Sequence, residues 1–427
     1  MSGIGVCSLD ALVKRGIINH DDFVKSPDAA LRCILRHCGV PKSTPHSSGF
    51  ARLACELFTK PSEIRLFTRA STMTITVFHP VPRVKAWIWG VLIAAPIAAF
   101  VLELCLGSVM IPVRGVWDVL THQASVCEGW REIILVFRLP RAAAAMLAGA
   151  ALGVAGLEMQ TLFRNPLADP FILGISSGAG LGVALLVLGA WGFGVTGVME
   201  KSGLFGNCSL VMAAVAGSIV VLCLVLGLSR KVESSLTLLI VGLMFGYISS
   251  SLVGVLLQFT QEQQMQSYII WTFGSFGGVT RKQLFVFAPV VFSGLAAAWL
   301  LAKPLNATLL GENYARSMGE NVRRTRFRII LGASVLAGTV TAYCGPVGFL
   351  GIAVPHLCRS ILKTSDHHIL VPAVILMGAA LAMLADVLAQ APGTRIMLPL
   401  NAVTSLIGAP VVIGVILRRQ KALEAGI

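Results

Sequence analysis

The sequence predicts an all-α, polytopic membrane protein with about ten transmembrane helices, and three observations carry that prediction. Of the 427 residues, 56% are hydrophobic and only 13% charged, where soluble domains carry about a quarter charged residues. Mean hydropathy is +0.81. Apolar runs of roughly twenty residues, the length that crosses a bilayer as a helix, recur along the chain. These runs are continuously apolar, whereas the strands of a membrane barrel alternate apolar and polar residues.

A net charge of +14 would suggest nucleic acid in a soluble chain. Here the lysines and arginines collect in loops on one side of a membrane, so lipid and not nucleic acid is the expected contact. The ten cysteines form no CxxC pair and no zinc spacing, and Cys105 and Cys223 fall inside apolar runs. They read as small buried hydrophobes, and no metal or cofactor is expected.

Residues 1–72 differ from the rest: Lys14, Arg15, Asp21, Asp22, Lys25 and Arg32 precede a Pro/Ser-rich stretch at Pro41–Ser48. No run there is long enough to span a bilayer or to form a signal-peptide core. Met73, then Arg83 and Lys85, lead into the first apolar run, the order in which a polytopic chain begins. Residues 1–72 therefore read as an extension of unknown role, an over-extended start or dispensable tail, with a small cytoplasmic module as the alternative. The membrane domain is 73–427.

Ten runs follow, near 86–107, 142–162, 171–190, 209–228, 236–259, 283–302, 328–344, 347–362, 369–390 and 402–417. With the N-terminus in the cytoplasm, fourteen basic residues between the runs fall on the cytoplasmic side and eight outside. That asymmetry, with an even helix count, supports cytoplasmic N- and C-termini. On the outer side, residues 108–141 form a long loop, and 262–280 suit a short interfacial helix carrying Tyr268, Trp271 and Phe273.

No GxxxxGK[ST] occurs, so the chain has no phosphate loop of its own and is not read as an enzyme. Gly174, Gly178 and Gly182 fall at i, i+4 and i+8 on one helix face, which fits close helix packing better than a dinucleotide loop. Glu103, Glu158 and Asp386 are the intramembrane acids, each near a predicted helix end where water or a partner is in reach. His356 and Cys358 fit a structural role beside a helix end better than metal or haem ligation. Ser249, Ser250 and Ser251 interrupt the fifth run and mark a candidate wall of a translocation path; the alternative is bonding back to their own helix. The segment 303–328 is too long for a turn. Its residues 307–319 suit a cytoplasmic helix punctuated by Gly311 and Gly319, able to seat in a groove on a partner; a solvated basic loop is the plainer alternative.

Five motifs then carry a resemblance: Arg138-Leu-Pro-Arg141, QTLFRNPLADPFILGISSGA at 160–179, LLGENYARSMG at 309–319, GPVGFLGIAVPHLCR at 345–359 and LPLNAVTSLIGAPVV at 398–412. In this order and spacing the chain resembles the FecCD-type permeases of binding-protein-dependent importers, a family that includes the vitamin B12 permeases. The likeness runs from about 85 to 420. It implies a type II ATP-binding-cassette importer permease in a bacterial inner membrane, working as a homodimer with two ATP-binding subunits below and a periplasmic substrate-binding protein above. ATP-driven closure of the ATPases would rock the permease halves. The resemblance assigns ATPase coupling to Gly311, Glu312, Ala315, Met318 and Gly319, and binding-protein docking to Arg138, with Arg141 and Arg395 alongside. The cargo it implies is a ferric siderophore, haem or a cobalamin. Two features depart from the family pattern: Gln390 stands where vitamin B12 permeases carry an arginine, and Met397-Leu-Pro-Leu-Asn401 replaces Glu-Leu-Pro-x-Gly. An ion-coupled secondary carrier and a membrane-embedded enzyme are the competing classes.

Overall fold

The computed structural model describes residues 85–121, 128–189, 203–229, 231, 235–394 and 397–424. All belong to one compact unit, Val84–Ile427; residues 1–72 lie outside the described residues. Among these residues there are helices and no strands. Ten helices match the ten apolar runs: α1 (Ala86–Cys105), α4 (Leu139–Phe163), α5 (Ile175–Gly189), α6 (Gly203–Ser229), α7 (Ser235–Gln258), α9 (Arg281–Leu300), α12 (Val322–Cys344), α13 (Leu350–Leu362), α14 (His367–Ala389) and α15 (Leu400–Glu424). Seven spans are long and apolar enough to cross a membrane, and parts of α5, α13 and α15 are shorter apolar helices.

The other helices connect them. Helix α2 (Val113–Leu120) and α3 (Glu128–Glu132) lie between α1 and α4, α8 (Glu262–Thr272) precedes α9, and α10 (Ala302–Leu309) and α11 (Glu312–Ser317) precede α12. Residues 108–141, expected as a loop, are thus largely helical. From Glu128 the chain runs through a π-helical stretch, Ile133–Arg138, straight into α4. Pro140 has no N–H and its ring crowds the carbonyl four residues back. The wider register ahead of it, with the Leu139 N–H bonded to the Ile134 carbonyl, relieves that conflict without breaking the helix.

Helix α4 is the hub. Every residue from Leu147 to Phe163 is buried, as expected of a helix apolar on all sides. Its alanines and glycines let neighbouring backbones come close where hydrophobic packing alone gives no preference over lipid. A Cβ on Gly149 would lie 2.1 Å from the Gly378 carbonyl oxygen of α14, and one on Gly156 would lie 1.8 Å from that of Gly351 on α13. Gly156→Ala is therefore expected to lower stability by about 1–3 kcal/mol through overpacking. Thermal unfolding in detergent measures this, and a wild-type midpoint would show that the α4–α13 crossing yields.

The glycine face of α5 does pack a helix: Gly178 meets Gly217, and Gly182 meets Ala213, both on α6. Gly174 plays another part. It sits at φ +76 after a 3-10 turn, Pro170–Leu173, and faces Gly242 of α7. Broad apolar faces remain open on the outer helices, including Trp87, Val91 and Ile97 of α1 and Phe285 and Phe292 of α9. Lipid is the natural solvent for them.

Candidate functional site

The segment matching the sequence-predicted coupling element folds as an elbow. Helix α10 ends at Leu309, Gly311 turns the chain at φ +124, α11 follows, and Gly319 closes it at φ +85. Both glycines occupy backbone conformations that side-chain-bearing residues seldom adopt. A Cβ on Gly319 would meet open space, while one on Gly311 would approach the Arg164 guanidinium at 3.2 Å. Leu310, Tyr314 and Met318, spaced four apart, are 66%, 46% and 62% exposed.

Two of the five residues expected to contact a partner turn inward. Ala315 is 2% exposed, fixed there because α11 rests its short inner face on the bundle. Glu312 does not stand free as an acceptor: its Oε1 takes a hydrogen bond from Arg326 Nη2 at 2.6 Å, a salt bridge to α12. The exposed surface of the elbow is the apolar stripe, of which the sequence reading named only Met318.

At the opposite end of the bundle, the expected docking arginines are internal. Arg138 is 7% exposed; its guanidinium donates to the Leu104 carbonyl at 2.7 Å and to the Val109 carbonyl. Arg141 binds Asp386 in bidentate fashion, Nε to Oδ2 at 2.6 Å and Nη2 to Oδ1 at 2.9 Å, with Glu103 3.8 Å away. Gln390 completes the cluster, its Nε2 donating to Glu103 Oε1 at 2.6 Å and to Asp386 Oδ2 at 3.2 Å. The expectation of an outward cation at Arg138 and Arg141 is corrected. The π-turn aims the first at carbonyls freed by the end of α1, and the carboxylates of α1 and α14 draw in the second. Arg395 lies outside the described residues. Exposed cations at this end include Arg131, Arg281 and Lys282, which line a cleft with Glu128 and Glu132.

The three acids are buried, and of the water or partner expected beside them Glu103 and Asp386 have the partners, Arg141 and Gln390. Glu158 faces Gly332 and has no hydrogen-bond partner among the described residues. His356 is structural: Nε2 lies 2.9 Å from the Pro166 carbonyl, which only accepts, so the ring nitrogen donates. Among the described residues no group of three or more His, Cys, Asp or Glu could hold a metal. Ser249 is buried, while Ser250 and Ser251 are exposed on α7. Asn401 Oδ1 accepts from the Gly348 N–H at 3.1 Å.

A further junction joins the elbow to the membrane helices. Asn306 of α10 donates through Nδ2 to Asp366 Oδ1 at 2.7 Å, and Asn306 Oδ1 accepts from the His367 backbone N–H at 2.9 Å. His367 Nδ1 lies 2.7 Å from Asn306 Oδ1, and Nε2 lies 2.8 Å from Thr161 Oγ1 of α4. Asp366 caps α14 through the His368 N–H. Burial works against its charge, but the Asn306 amide and the His368 N–H outweigh it and hold its pKa below the ordinary carboxylate range.

Long apolar helices around a small-residue hub, with an elbow at one end, define a helical membrane protein. The chain belongs to the FecCD transport family, whose profile matches residues 94–419. It is 35% identical over 319 residues, 74% of this chain and 91% of the relative, to the hemin transport system permease protein HmuU of Yersinia pestis. It is 32% identical over 338 residues, 79% of this chain and 95% of the relative, to the vitamin B12 import system permease protein BtuC of Klebsiella pneumoniae subsp. pneumoniae. Among solved structures, it is similar to an inward-facing metal-chelate type ABC transporter, with a TM-score of 0.67 and 26% identity over 78% of this chain and 99% of that one. The expected family and architecture therefore hold, and the family is one of transporter subunits.

Proposed function

We propose that this chain is the membrane-spanning permease subunit of an ATP-binding-cassette importer that brings haem, a cobalamin or a ferric chelate into the cytoplasm. The observation that carries the reading is the elbow. A stripe of Leu310, Tyr314 and Met318, with glycine turns at Gly311 after its first member and Gly319 after its last, suits insertion into a cleft on a separate ATPase. Such a stripe supplies the apolar, well-ordered anchors that dominate protein interfaces. The relatives are named for haem and vitamin B12 transport, and both cargoes are metal-bearing macrocycles.

The same reading has the chain work as a homodimer, with an ATP-binding subunit on each copy and a binding protein at the far end. It sets both termini in the cytoplasm of a bacterial inner membrane. The exposed side chains of α7 (Met244, Tyr247, Ile248) with Ser250 and Ser251 fit the wall shared with the second copy. Because Arg138 and Arg141 are engaged internally, Arg131, Arg281 and Lys282 are the better candidates for acidic groups on the binding protein. The test is uptake into vesicles holding the permease with its ATPase and binding protein. ATP-dependent accumulation of haem, cobalamin or a ferric siderophore is the expected result. Uptake driven by a proton or sodium gradient without ATP would instead establish a secondary carrier.

A further inference from the structure

The elbow is joined to the bundle by two quite different contacts. One is the Glu312–Arg326 ion pair to α12, in which the Arg326 side chain is 6% exposed and the Glu312 carboxylate, at 28%, still reaches water. The other is the junction of Asn306, His367 and Thr161, in which Asn306 is half-buried and both His367 and Thr161 are fully buried. Its polarity is fixed from one end. Because Asn306 Nδ2 is committed to Asp366, Asn306 Oδ1 must face His367 as an acceptor, so His367 Nδ1 carries a hydrogen. The ring then bridges the elbow on one side and α4 on the other, through Nε2 and Thr161 Oγ1, an oxygen that also lies 2.8 Å from the Leu157 carbonyl of its own helix. His367 and Thr161 are shut off from water, so a displacement of the half-buried Asn306 acts on a ring that has no solvent to turn to.

We propose that Asn306, His367 and Thr161 are positioning residues that form one linkage in series, passing movement of the ATPase-bound elbow to α4 and α14. This rests on the reading of 302–319 as the ATPase contact. What the three residues set is whether a displacement at the apolar stripe reaches the buried hub or is absorbed at α10.

The experiment uses the full complex in vesicles, measuring ATP hydrolysis, uptake and retention of the ATP-binding subunit. Thr161→Val keeps shape and removes only the hydroxyl, while His367→Asn places an amide nitrogen where Nδ1 was and loses the reach to Thr161. Each is expected to keep the ATP-binding subunit bound and hydrolysing, with uptake per ATP reduced about five-fold or more. The double variant should be no worse than either single one, since contacts in series are lost once. Asn306→Ala should give the same loss from the other end. An unchanged uptake-to-hydrolysis ratio in both Thr161→Val and His367→Asn overturns the linkage, as do additive losses or a lowered melting temperature with an unchanged ratio. If instead charged residues at Tyr314 and Met318 leave the ATP-binding subunit fully bound, the coupling reading itself is what fails.

Discussion

Arg141→Ala destabilises the protein by about 3–5 kcal/mol, the loss seen when one member of a buried ion pair is removed. Asp386 and Glu103 are each 1% exposed, and Arg141 is the cation that both face. Without it, two carboxyl groups share a dry site with only the Gln390 amide as donor. Arg141→Lys recovers part of the loss, because an ammonium cannot make the paired bonds from Nε and Nη2. Arg141→Met combined with Asp386→Leu recovers more, since an apolar pair of similar volume avoids the desolvation cost altogether. Unfolding midpoints in detergent for the three variants make the comparison. A loss below about 1 kcal/mol for Arg141→Ala, as for a surface pair, would mean that water reaches the cluster.

If the stripe is the proposed ATPase contact, Tyr314→Asp together with Met318→Asp is expected to weaken binding of the ATP-binding subunit about 100-fold or more, the scale for losing two anchors at an interface centre and desolvating two charges. Neither residue lies in a membrane span, and both are well exposed, so insertion and unfolding temperature stay as in the wild type. Glu312→Arg acts differently from what its acidic character suggests. It breaks the bond to Arg326 and sets two cations together, loosening the elbow before any partner arrives. Titration of detergent-solubilised permease with purified ATP-binding subunit checks both statements. Retained affinity in the double aspartate variant would remove the apolar stripe from the interface.

What the sequence made legible was whatever depends on a run of neighbours. Ten apolar stretches became ten helices because crossing a bilayer is a property of local composition. The interfacial helix at Glu262–Thr272 was foreseen for the same reason. What failed was placement of charge. Arg138 and Arg141 stand at a predicted helix mouth, where a cation normally meets water. Their burial is decided by Leu104, Glu103 and Asp386, the last of them 245 positions away. Likewise Ala315 and Glu312 could not be assigned a side until the pitch of α11 was known. The junction at His367 left one trace, an Asp before two histidines at a helix start, which reads as an N-cap. Nothing local ties it to Asn306, which lies 61 positions earlier.

Helices α4 and α14 are fastened at three levels: Arg141 to Asp386 at one end, the Gly149–Gly378 contact midway, and Thr161 to His367 at the other. Arg141 and Thr161 are separated by about 30 Å at 1.5 Å per residue, close to the thickness of a bilayer's hydrocarbon layer. Two rods pinned at both ends and the centre have no soft point between the pins. They act as a single spar, and a push on its inner tip must arrive at its outer tip as tilt. A transport protein with such a spar can signal between its two faces without any helix in the pair changing shape, and amide hydrogen exchange along Ala144–Met159 should be the slowest among the described residues.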